Sequence, residues 1–135
     1  MAVPQQTPAA ESRRLHRSAA LHGLAVVVFG LLAFTGVGTL GSGARALGVP
    51  VLIVGAAGSM GALIIMVSVL RRSRGTARTQ RAARIGMVVA AVVAVAVGVA
   101  LAPAGWERGF VITVNALTGV LLALFAALAG ERTAP

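Results

Sequence analysis

The chain has 135 residues, enough for one domain, and 58% of them are hydrophobic, against roughly 45–50% in a soluble domain. All twelve basic residues are arginine; there is no lysine or aspartate, and glutamate occurs only at positions 11, 107 and 131. With no cysteine, a disulfide, a thiolate metal site and a cysteine nucleophile are excluded, and a formal charge of +9 without a folded polar domain to present it argues against nucleic acid.

Residues 1–18 open with a polar, proline-bearing segment, MAVPQQTPAAES, and close on a collar of Arg13, Arg14, His16 and Arg17. This composition predicts a disordered basic tail. An uncharged run over about 21–40 follows. At about 1.5 Å per residue, twenty helical residues reach about 30 Å, the thickness of the hydrocarbon core of a bilayer. The run is longer than a signal-peptide core, and cleavage after Ala44-Arg45-Ala46 would open the mature chain inside the next apolar run, so a retained span is expected. His22 lies about one turn inside it and is expected at headgroup level.

The link GSGARA leads to a second uncharged run over about 47–70, with Pro50 in its first turn, where a missing N–H costs little. Six arginines, Arg71, Arg72, Arg74, Arg78, Arg81 and Arg84, then fall within fourteen residues. They lack an accompanying apolar face, so they mark topology and candidate contacts to anionic lipid headgroups rather than a surface helix. A third run spans about 85–102 and stops at Pro103; a fourth spans about 109–129 after the link PAGWER.

These runs predict an all-α membrane protein. Its four transmembrane helices pack as a small bundle over residues 19–130, with a short tail at 131–135. Ten of the twelve arginines fall in the N-terminal tail, the 71–84 segment and the C-terminal tail. The excess of basic residues places those segments, and both termini, in the cytoplasm, and the bundle in the plasma membrane, as in a bacterial inner membrane. Trp106, on the opposite side, suits an interfacial anchor. The two hairpins have a similar arginine-then-apolar layout, which the charge rule alone also produces.

Close helix contact in lipid depends on small residues. Gly86, Ala90, Ala94 and Gly98 recur every four residues and form a candidate seam, and Asn115, Gly119, Ala123 and Ala127 form a second. Gly55, Gly58, Ser59 and Ala62 supply overlapping pairs on the second span.

No acidic residue falls within a span. Small multidrug-resistance transporters have this length and span number but depend on a glutamate in the first helix, which is lacking here. Two histidines without an acidic or cysteine partner do not compose a metal site, and the spans offer no lysine for a Schiff base and no base to activate a hydroxyl. No cofactor and no catalysis are expected. Asn115, with Thr113 and Thr118 nearby, is the one strongly polar group in a span. It either lines a solute path or forms an interhelical hydrogen bond. The expected function is a non-catalytic accessory or assembly subunit of a larger membrane complex, partnered by other membrane subunits or by copies of itself. The alternative is a small oligomeric channel or transporter for a neutral or anionic solute.

Overall fold

A computed structural model describes residues 7–71 and 76–131, with Thr76, Gly130 and Glu131 described by their backbone alone. Four helices follow one another: α1 (Pro8–Gly41), α2 (Arg45–Arg71), α3 (Thr76–Leu101) and α4 (Glu107–Glu131). All four are long and apolar enough to cross a membrane, and the described residues contain no strand. The protein is a multi-pass helical bundle.

Each helix is longer than its apolar run, because helix propensity continues where apolarity stops. Residues 8–18 are helical, where composition suggested a disordered tail. Proline at the first position, with Glu11 in the first turn, starts α1: proline's fixed φ suits that position, and the carboxylate faces the positive end of the helix dipole. At 34 residues, α1 is about 50 Å long, so its basic first turns extend beyond a hydrocarbon core. Likewise α3 begins at Thr76, which makes Arg78, Arg81 and Arg84 part of a helix rather than a loop. Arg72 and Arg74 lie outside the described residues, as do residues 132–135.

The α1–α2 turn is closed by its own backbone. Gly43 N–H donates to the Leu40 carbonyl and Ala44 N–H to the Thr39 carbonyl, with Gly43 at φ 89°. This is the paired bonding that ends a helix on a left-handed glycine, and it turns α2 back along α1. Gly105, at φ 135°, occupies the α3–α4 turn beside a fully projecting Trp106, 91% exposed.

Helix α2 is the centre of the bundle and packs against all three others. Its buried residues include Gly48, Val51, Gly55, Gly58, Ala62 and Ile65, alternating steps of three and four as in a left-handed helix pair. The other helices carry narrower stripes. On α1, His22, Phe29 and Gly36 are buried, one residue every two turns, which matches packing on one side only. The core gathers Phe29, Val54, Ile65, Met87, Ala91, Ala94, Leu122 and Ala126.

Glycines set how close the helices come. A Cβ on Gly36 would lie 2.6 Å from the Leu52 backbone nitrogen, and one on Gly55 would overlap the Ala33 backbone. Here α1 and α2 touch backbone to backbone. Gly61 instead gives room to the buried Met87 side chain, whose Sδ and Cγ lie 2.5 and 2.7 Å from the same hypothetical atom, a contact with a side chain rather than a backbone.

Candidate functional site

Two places bring polar side chains into the bundle, one at each end. At the end holding the short links, Asn115 of α4 is completely buried, with 0% exposure. Its Nδ2 donates to the Ala46 carbonyl at 3.1 Å. In an uninterrupted helix that carbonyl would accept from the N–H four residues on, but that residue is Pro50, which has none. Asn115 therefore supplies the donor that the proline removes, and ties α4 to the first turn of α2. Asn115 thus sits level with the start of α2. Gly98 is required beside it, because a Cβ there would fall 2.7 Å from the Asn115 Cγ. The amide Oδ1 is buried without a partner.

The two threonines grouped with Asn115 bond to backbone carbonyls within α4. Thr113 is exposed and donates to the Gly109 carbonyl at 2.7 Å, while Thr118 donates to the Asn115 carbonyl at 3.0 Å. Thr35 and Thr39 likewise donate to carbonyls one turn back, and Ser59 donates across to the Val26 carbonyl of α1. Hydroxyls satisfied in this way are unobtrusive in lipid.

The α3 seam is half of the one expected. Ala94 and Gly98 are buried and Ala90 is partly so, but Gly86 is exposed and a Cβ there would meet nothing within 4 Å. The stripe that α3 actually buries is Gln80, Met87, Ala91, Ala94 and Gly98. A spacing of four drifts around a helix of 3.6 residues per turn, whereas alternating threes and fours stay on one face. On α4 the same drift leaves Ala127 exposed, and Leu122 and Ala126 take the buried places.

The second polar site lies at the opposite end, where α1 and α4 approach without any Cα pair within 8 Å. Phe125 of α4 bridges the gap, with its ring 5.4 Å from that of Phe29 and 6.2 Å from that of His22, both edge to face. His22, expected at headgroup level, is packed into the bundle and 5% exposed. Its Nδ1 lies 2.7 Å from the Ser18 carbonyl, which fixes the proton on Nδ1, and its Nε2 is buried without a partner. On the other face Arg84 Nε donates to the Ala126 carbonyl at 3.0 Å, a cation one turn from the negative end of α4. Arg71, Arg78 and Arg81 are exposed.

Sequence reasoning passed over Gln80 and the site-forming role of His22. The three-and-four stripe of α3 extended backwards from Met87 reaches Gln80, and His22 falls seven residues before Phe29; both signals are present but need the packed face to be known. No group of three or more potential metal ligands occurs among the described residues. Comparison with family models, with curated proteins and with solved structures found no match.

Proposed function

We propose that this protein is a non-catalytic accessory or assembly subunit of a larger membrane complex. The observation that carries the reading is the use made of the polar groups in the spans. Asn115, Ser59, Thr35, Thr39, Thr113 and Thr118 all donate to backbone carbonyls. Between the two ends the core is apolar from Phe29 to Leu122. Such an interior holds helices together and offers no polar route to a solute. What remains for a partner is the outer surface, on which Gly86 stands open and a shallow groove runs between α3 and α4 past Ala96 and Ala116. Small residues of this kind admit a neighbouring helix closely.

We further infer that both termini and the α2–α3 junction face the cytoplasm, with the bundle in the plasma membrane. The arginines of the described segments support this: Arg13, Arg14, Arg17, Arg71, Arg78, Arg81 and Arg84 share one end of the bundle, and only Arg45 and Arg108 stand at the other.

Purification in mild detergent, followed by identification of what accompanies the chain, tests the subunit role. A fixed stoichiometry of unrelated membrane proteins is expected. A pure homo-oligomer that moves a neutral or anionic solute across liposomes, with flux lost in Asn115→Leu, would instead establish the channel or transporter.

A further inference from the structure

We propose that the gap between α1 and α4 is a binding site for one anionic glycerophospholipid, entered from the bilayer. The gap exists because α1 and α4 are each packed backbone to backbone on other helices and meet one another only through side chains, Phe125 against His22 and Phe29. It forms an apolar cavity of about 300 Å³, walled by Leu24, Val28 and Phe29 of α1 and by Leu121, Phe125 and Leu128 of α4. That volume is within the range of small-molecule sites, and its walls suit an acyl chain.

The cavity does not end blind. A second cavity, about 790 Å³, adjoins it toward the start of α1, and the two have Leu21, His22 and Ala129 in common. The walls of this second space change character: Arg14 and Arg17 line it, with Glu11 and Ser18. The cleft thus runs from an apolar bed to a mouth with two cations and one carboxylate, the polarity sequence of a lipid from acyl chain to phosphate. Two arginines near a membrane surface favour an anionic headgroup over a zwitterionic one.

His22 is the independent observation. It forms part of the wall where the two cavities meet, it is more than nine-tenths buried, and one of its ring nitrogens has no partner. A buried polar atom left unbonded is costly, and native structures rarely keep one without a use. With Nδ1 donating to the Ser18 carbonyl, Nε2 is an acceptor, the valence left for a donor hydroxyl such as those of a phosphatidylglycerol headgroup.

The test places a tryptophan in the groove. Leu24→Trp, made in a Trp106→Phe background, is reconstituted into phosphatidylcholine vesicles carrying a minor share of dibrominated lipid, either phosphatidylglycerol or phosphatidylcholine. Leu63→Trp, on the exposed side of α2 at a similar depth, is the control. Expected is stronger quenching at position 24 by the anionic lipid, with no preference at position 63. Arg14→Gln and Arg17→Gln should each lower the preference about fivefold. His22→Phe, which keeps a ring and removes the nitrogens, should lower it as well. Equal quenching by both lipids at position 24 would overturn the site, as would a preference that survives the double arginine variant or His22→Phe. Shielding of position 24 from both lipids would mean that a helix of a partner protein fills the groove instead, and would overturn it too.

Discussion

At the residue scale, the Asn115–Ala46–Pro50 arrangement links two residues that are 65 positions apart in the chain. The proline opens a carbonyl and the amide closes it, so neither choice is independent of the other. Replacing Asn115 with leucine leaves the Ala46 carbonyl unbonded in an apolar surrounding and sets a branched side chain against Gly98. A loss of about 1–3 kcal/mol is expected, the cost of a stranded buried acceptor. Pro50→Ala restores the N–H that the carbonyl lacks, and in that background the same leucine substitution should cost clearly less. Melting of the two single variants and the double variant in detergent measures the coupling. Strictly additive losses would mean that the bond and the proline are unrelated.

Between elements, the energetics depend on what a small residue faces rather than on its being small. Gly55 faces the Ala33 backbone and Gly61 faces the Met87 side chain. Gly55→Ala should destabilise by about 1–3 kcal/mol, because two helix backbones must separate. Gly61→Ala should cost less than Gly55→Ala, since only the buried Met87 side chain and no helix backbone must shift, and alanine is the better helix former by about 1 kcal/mol. Similar melting temperatures for the two would refute the backbone contact between α1 and α2. The same reasoning separates neighbours on α3. Ala94 is 1% exposed and Val93 is 46% exposed, so Ala94→Leu should lower the melting temperature and Val93→Leu should not. Gly86→Ala, in open space, should leave the fold unchanged or strengthen it slightly.

For the molecule as a whole, the reporter experiment follows from the arginine distribution. A periplasm-active enzyme fused at Gly105 should be active, and the same enzyme fused at Thr133 should be inactive. Activity at Thr133 with none at Gly105 would invert the bundle, and activity at both would remove a span. The asymmetry of packing also has a consequence at this scale. Helix α1 is held by α2 along one narrow stripe, and its contacts with α4 run through Phe125 alone among the ring pairs. Phe125→Ala should therefore loosen α1 more than α3, seen as greater amide exchange on α1 around His22 and Phe29 than on α3 around Ala94. Equal exchange would show that Phe125 does not hold the gap.

The sequence by itself determined four apolar helices, the approximate limits of their apolar stretches and the basic character of one end. Each of these follows from hydropathy and charge summed along the chain, and no long-range partner is needed to compute such sums. It also indicated that glycine and alanine would form the seams. Which of them do so was decided by the tertiary structure, because a face is buried only relative to a neighbour: Gly86 and Gly98 are alike in sequence, yet one is open and the other holds Asn115. The same is true of His22, whose burial depends on Phe125 coming from a helix about a hundred residues away. The ends of α1 and α3 went unforeseen for a different reason. Apolarity marks where a helix meets lipid, but alanine, arginine and glutamine continue a helix into water at little cost, so the lipid boundary and the helix boundary are set by different forces.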